Sequence, residues 1–515
     1  MSDHRTLSNA GASGHEPCTE CSAGGRAASG AAEVGGGGVP TLGEAGTDDA
    51  GSAAVAGAEA AGAPDAADGV AISEVSFWQS FRVPLEAKGA PVPPNAPIIV
   101  GKDGILRVYV TPDAQFRPRA LSAVLELGGS AGELSLESKK AVQQASVNGE
   151  FASTFNFPLD ATQVLADTLF SVTLSDRATG DVLARYPAQA RAPLAAVSVS
   201  PGNRLEVTLV PLTVGGSSPD VSAKNVAIFR TRLRSMYPVA DVAIRVHAPM
   251  SSAIEVGPQE GWAALLDVLY ALRSSDAPAE NVYYYGVFTP TATFDDYCTE
   301  DCTVGLSIVA DPDDVDSRGS IGLGIFADGS NADAPDTMAH ELGHALGRSH
   351  APCDVSKASS GPFPYPGGKI GVWGFDAPNH ELLDPALFGD VMGYCSPDWI
   401  SDFTYRALFQ RIAYVNAEVS TKSLTPPRAV YQRVLVGANG ALQWGERFTP
   451  TRVPGGALRL LTLLGSAGEV LSSLDVPWRQ LGDGTGGVLL IPKSALTPHV
   501  AAIRVGSVEL ALPTP

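Results

Sequence analysis

Large apolar side chains are almost absent from residues 1–71, where Ala and Gly dominate and Asp and Glu are scattered. Such a segment cannot bury a core, and it reads as a flexible tail or tether. From 72 to 200 the pattern changes to short alternating or apolar runs, among them Ile105 to Val110 and Leu121 to Leu127, broken by Pro and Gly. Strands separated by frequent turn signals predict an N-terminal β-sandwich. Residues 201–424 mix two periods. Strands are expected at Leu205 to Val210, Val239 to Val246, Asn281 to Phe288 and Ser320 to Phe326. Between them run helical stripes, first Val226, Phe229, Leu233 and Met236, then Trp262, Leu265, Leu266, Leu269 and Leu272. A third helix, with Asp336 as its N-cap, follows and passes under the sheet. After 424 short apolar runs return at Val434 to Val436, Leu458 to Leu464 and Val488 to Ile491. The expected fold is therefore multidomain: a mixed, twisted α/β layer at 201–424, flanked by a β-sandwich at 72–200 and a small C-terminal β-sandwich domain at 425–515.

A chain of 515 residues suits two or three domains. The formal charge of -20 would repel nucleic acid and anionic membrane, so neither is expected as a partner. No apolar run reaches the roughly 18 residues that a membrane-spanning helix needs. A monomer is expected.

The third helix carries the chemistry. Its stretch from His340 to His350 holds three of the eight histidines of the chain. His340 and His344 lie one turn apart on one helical face, with Glu341 beside them. Gly347 allows a sharp turn that returns His350 to the same point. Three neutral imidazoles and an open fourth position suit Zn2+ with a bound water, and Glu341 is placed to take a proton from that water.

Four of the six cysteines group near this region, as Cys298 with Cys302 and Cys353 with Cys395. Cys353 follows the third histidine by three residues and Cys395 follows Met392 by three, so a disulfide between them would join two walls of one site. Free buried thiols are the alternative. Disulfides imply a secreted or cell-surface protein, although residues 1–14 lack the apolar core of a signal peptide. Cys18 and Cys21 form a lone C-x-x-C, a weak motif.

The extended motif H-E-x-x-H-x-x-G-x-x-H at His340–His350 resembles that of the metzincin zinc endopeptidases. Asp390-Val391-Met392-Gly393-Tyr394-Cys395 looks like the methionine turn that forms a hydrophobic floor beneath the metal in that family. The resemblance covers about 203–415. It implies a metzincin-like α/β fold, Zn2+ held by His340, His344 and His350, Glu341 as general base and acid, and Met392 as the floor. Tyr394 stands where astacin-like and serralysin-like metzincins present a tyrosine, which implies a phenol donor to the oxyanion. Ala351 departs from the residue that marks several of the better-known families after the third histidine. The order β-domain, core, β-domain looks most like large secreted bacterial metallopeptidases such as the dictomallein and mucin-cleaving group.

The strand Ser320 to Phe326 would then edge the cleft, with Gly322 and Gly324 admitting a peptide backbone, and bulge glycines are the alternative. Pro362 to Pro366 and Val372 to Phe375 would wall a pocket. His380, Glu381 and Asp384 make a competing ligand set, which Pro378 and Pro385 deprive of a helix. The loop Asp311 to Asp316 lacks EF-hand spacing. The reading is a zinc-dependent endopeptidase acting on extracellular proteins or glycoproteins. A metzincin-like binding or adhesion protein, or a zinc hydrolase of a non-peptide amide, is the alternative.

Overall fold

The computed structural model describes residues 69–198, 204–299, 301–353, 362–419, 429–484 and 486–513. The tail expected at 1–71, with Cys18 and Cys21, lies outside the described residues except at its end, where a strand already begins at Val70.

The first described part builds two antiparallel sheets. One runs in the order Ala90–Pro91, Arg82–Ala87, Val70–Trp78, Gly104–Pro112 and Phe155–Leu159. The other runs Val182–Tyr186, Leu169–Asp176, Arg119–Gly128 and Leu134–Val142. In Arg119–Gly128 the residues Leu121, Ala123, Leu125 and Leu127 all point into the core, as a period of two dictates. Both sheets feed one apolar cluster, and that cluster continues into the next layer.

That layer is a sheet ordered Asp241–Val246, Arg204–Thr213, Val282–Phe288, Gly319–Leu323 and Gly305–Ser307. The first four strands are parallel and the last is antiparallel to its neighbour. Parallel strands need cover on both faces, and their side chains divide accordingly. Leu205, Val207, Leu209, Tyr283 and Tyr285 share a core with the helices Ala223–Met236, Ala334–Ala345 and Asp402–Val419. Val210, Leu212, Tyr284, Ile321 and Leu323 face the helix Trp262–Asp276 and the C-terminal strands.

Those strands form one seven-stranded sheet from Leu442–Phe448 through Tyr431–Val436, Gly487–Pro492, Val470–Gln480, Leu458–Leu464 and Ala502–Val505 to Val508–Ala511. Its residues Tyr431, Leu435, Phe448, Leu481, Val488 and Leu490 are buried in the same cluster as Trp262, Leu265 and Leu269. The C-terminal sheet is thus fused to the α/β layer by a shared core.

Three local expectations are corrected. The third helix starts at Ala334, with Asp333 at its N-cap, because Pro335 supplies the fixed φ of a first helical turn. Asp336 sits inside that turn and pairs with Arg232. The strand holding Gly322 is not the sheet edge. Gly305–Ser307 pairs along it, matching Gly305 to Gly322 and Ser307 to Ser320, so the edge that a peptide could meet belongs to that outer strand. Gly322 is buried beneath the Tyr285 hydroxyl and Gly324 is packed on Val287, so both serve close packing. Finally, Val372 to Phe375 does not wall a pocket. Arg82 N–H donates to Trp373 O at 2.8 Å and Phe375 N–H to Ser80 O at 2.9 Å, which ties this stretch to the N-terminal sheets.

Candidate metal centre

The helix Ala334–Ala345 presents His340 and His344 on one face, and Gly347 ends it. Gly347 has φ +82°, a conformation that costs an L side chain about 1–2 kcal/mol. Its N–H donates to His344 O at 2.7 Å and Arg348 N–H to Gly343 O at 2.9 Å, closing the helix end. A Cβ at Gly347 would also lie 2.9 Å from Ala310 O, so the turn is close-packed as well as left-handed. The reversal brings His350 back onto the helix.

The three Nε2 atoms converge. His340 and His344 are 3.1 Å apart, and each lies 3.2 Å from His350. Among the described residues this is the single group of His, Cys, Asp or Glu side chains able to hold a metal ion. Nδ1–H of His340 donates to Val391 O at 2.7 Å and that of His344 to Arg348 O at 2.6 Å. With the proton on Nδ1, each Nε2 turns a lone pair inward. Burial holds His340 down to about 4 and His350 to about 3, and His344 well below its ordinary value, so all three rings are neutral at pH 7. Three buried lone pairs facing one point repel unless a cation sits between them. The spacing fits one: zinc–nitrogen bonds of about 2.0 Å in a tetrahedron set nitrogen atoms about 3.3 Å apart.

Glu341 is buried against the outer strand, where a Cβ on Gly305 would lie 2.5 Å from its Oε1. Among the described residues its Oε2 has no hydrogen-bond partner. Burial first, and then the charge of Asp483, push its carboxyl well above the usual range.

Met392 is buried below the helix, its sulfur filling the space that a side chain at Gly343 would need. The turn around it is anchored at every residue. The buried Asp390 carboxylate accepts from Met392 N–H at 2.9 Å and from Ser401 N–H at 3.0 Å. Ala351 N–H donates to Met392 O and Tyr394 N–H to Cys353 O, both at 2.9 Å. The Cys353–Cys395 disulfide, with Cα atoms 5.6 Å apart, covers the same seam, and Cys298–Cys302 forms the second. The Tyr394 ring stands 4.8 Å from the His350 ring and 5.7 Å from that of His340, and it is exposed. Its phenol is raised by desolvation of the oxygen, then by the charges of Glu341 and Asp483, and remains protonated.

The competing ligand set is elsewhere: His380 stacks on Phe151 with centroids 4.3 Å apart. The acidic loop docks the C-terminal sheet. Asp314 pairs with Arg479, Asp313 with Arg452, and Asp316 accepts from Thr451.

Residues 315–395, from the acidic loop to the end of the methionine turn, match the family model Peptidase M66. That stretch, which carries the three histidines and the methionine turn, is similar to the peptidase M66 metalloproteases. No curated protein matches it in sequence. Among solved structures it is similar to a calcium-binding mutant of beta-glucuronidase 2 from Bacteroides uniformis, at 12% identity and TM-score 0.15, over 45% of this chain and 26% of that one. A chaperone-substrate complex matches at 14% identity and TM-score 0.23, over 51% of this chain and 40% of that one. Metalloproteinase-II from Bacteroides fragilis matches at 12% identity and TM-score 0.23, over 60% of this chain and 83% of that one. The chain therefore spans less than half the length of the first two, and at these scores none of the three carries a functional argument. The M66 match embraces the whole triad and the turn beneath it.

One element of the site had no forecast in the sequence: the segment Gln480–Gly484 of the C-terminal sheet, which reaches His344 and Glu341. Nothing in its composition distinguishes it from an ordinary hairpin turn.

Proposed function

We propose that the chain is a zinc endopeptidase that hydrolyses peptide bonds of extracellular proteins or glycoproteins. The observation that carries this reading is the convergence of three neutral Nε2 atoms beside a buried Glu341 whose Oε2 is unpaired among the described residues. Zinc, when bound by His340, His344 and His350, supplies Lewis-acid chemistry that makes water nucleophilic at neutral pH and polarises a carbonyl. Glu341 takes the proton of the attacking water at Oε2 and returns it to the leaving amine nitrogen. Tyr394 donates its phenolic hydrogen to the oxyanion that develops on the scissile carbonyl. Met392 and the Cys353–Cys395 bond keep the floor and the third ligand in fixed relation. The disulfides support an oxidising, secreted or cell-surface location. In this reading residues 201–424 form the catalytic domain, with β-domains at 72–200 and 425–515 on either side.

Incubation with casein and mucin tests the proposal. Cleavage that disappears with o-phenanthroline, and falls by roughly 10²–10⁴-fold in Glu341→Gln while bound zinc is retained, is the expected result. Intact zinc binding with no cleavage of any protein would sink it.

A further inference from the structure

The C-terminal sheet does more than cover a helix. Its strand Val470–Gln480 runs on into Leu481, which bridges antiparallel to Ile308. Gly482 N–H donates to Ser307 O at 2.8 Å, and Val309 N–H donates to Gln480 O at 3.0 Å. The outward peptide groups of Ser307 and Val309 are therefore occupied by the protein's own C-terminal sheet. That pairing continues the outer strand Gly305–Ser307, so the edge left to a substrate is confined to its Gly305 end, beside Glu341.

The next residues enter the cleft. A Cβ on Gly482 would lie 2.5 Å from Cδ2 and 2.7 Å from Nε2 of His344, so only a bare backbone can pass at that point. This seats the half-buried Asp483 beside the triad but outside the set of atoms that converge on the metal position. Its charge reaches both Glu341 and Tyr394, which flank the place where a scissile bond would lie. Three neutral imidazoles and Glu341 already provide the ligands and the base. Asp483 adds a carboxylate that neither role requires, on the loop that follows Gly482 past His344.

We propose that Asp483, carried into the cleft by the C-terminal sheet, is a specificity-determining residue that selects a cationic side chain of the substrate close to the scissile bond. The proposal rests on the peptidase reading above. It assigns the C-terminal sheet a part in substrate choice, and it predicts discrimination against peptides that are acidic at the same position, because like charges held together in a partly desolvated cleft repel strongly.

The test uses the full chain and a proteome-derived peptide library. The wild-type protein should cut with Lys or Arg enriched at one position within about three residues of the bond, an ion pair in such a setting giving a preference of roughly tenfold. Asp483→Asn should abolish that enrichment, and Asp483→Lys should shift it to Asp or Glu. A binding measurement covers the case in which the variants lose turnover. In the Glu341→Gln background, calorimetry compares one library peptide carrying lysine at the selected position with its norleucine analogue, with and without Asp483→Asn. The dissociation constants should differ by roughly tenfold with Asp483 present and become equal without it. A wild-type profile with no cationic preference, or a preference unchanged in both Asp483 variants, overturns the proposal while leaving the peptidase reading intact. Absence of any wild-type cleavage overturns the peptidase reading first and this proposal with it.

Discussion

The N-terminal sheets and the C-terminal sheet both join the α/β layer, but they do so by different physics and at different distances from the metal position. On the N-terminal side the buried contacts are mostly apolar packing and hydrogen bonds, with the Arg234–Asp103 ion pair at the part-exposed rim. Trp399 Nε1–H donates to Ser80 O at 2.6 Å, Ser80 Oγ–H to Ser235 O at 2.6 Å, and Phe81 meets Tyr405 edge-on at 4.9 Å. These contacts brace the segment after the methionine turn and the helix Asp402–Val419 from below. On the C-terminal side the seam is charged: Arg433 with Asp267, Arg479 with Asp314, and Arg452 with Asp313 and Glu280. It ends at the cleft itself, where Gly482 touches His344. One flank supports the floor, while the other supplies part of the wall. Neutral hydrogen bonds between packed surfaces fix a foundation, whereas buried ion pairs impose strict pairing and leave little tolerance for a missing partner.

Breaking the charged seam should therefore do the most damage. Arg433 and Asp267 are both about 96% buried and lie 3.0 Å apart. Arg433→Met leaves Asp267 charged and uncompensated, at a cost of about 3–5 kcal/mol read from denaturant unfolding, and removal of both charges recovers much of that loss. Proteolytic activity should fall with it, since the segment Gln480–Gly484 depends on the same sheet. Gly347→Ala lies between the two flanks. It should cost about 1–2 kcal/mol for its left-handed backbone, more because Ala310 O stands in the way, and should weaken zinc retention measured by competition with a chelator. Trp399→Phe probes the N-terminal seam. Loss of the bond to Ser80 O should lower stability by about 1–3 kcal/mol in a thermal melt, with the cleavage profile of the folded protein unchanged.

The N-terminal seam can also be probed by pH. Lys102 is buried at the N-terminal seam, donating to Ser80 Oγ and Tyr237 O at 2.9 Å, and burial lowers it from 10.5 to about 7. Between about 7 and 10.5 the unfolded chain binds the extra proton, so stability rises with pH across that window. Urea midpoints should climb from pH 7 to 10 in the wild type relative to Lys102→Met.

The metal helix was legible because its chemistry is local: three histidines, a glutamate and a glycine within eleven residues fix spacing, face and turn together. The strands Arg204–Thr213 and Val282–Phe288 were legible from their apolar runs. The outer strand Gly305–Ser307 was not, being only three residues long with no periodicity to read. The helix Asp402–Val419 carries a readable stripe, Tyr405, Leu408, Ile412 and Val415, but buried Asn416 interrupts its contrast. The docking role of the acidic loop was not legible because the arginines that neutralise it lie more than a hundred residues away. For the same reason Asp483 carried no signal. Its meaning comes from a long-range pairing of Leu481 with Ile308, which no local pattern encodes.

Metal content measured together with turnover on the same sample tests the central claim most directly. The account predicts one zinc per chain in the active wild type, zinc retained with activity lost in Glu341→Gln, and both zinc and activity lost in His344→Ala. Protein cleavage that persists in metal-free wild type, or in His344→Ala, would contradict it.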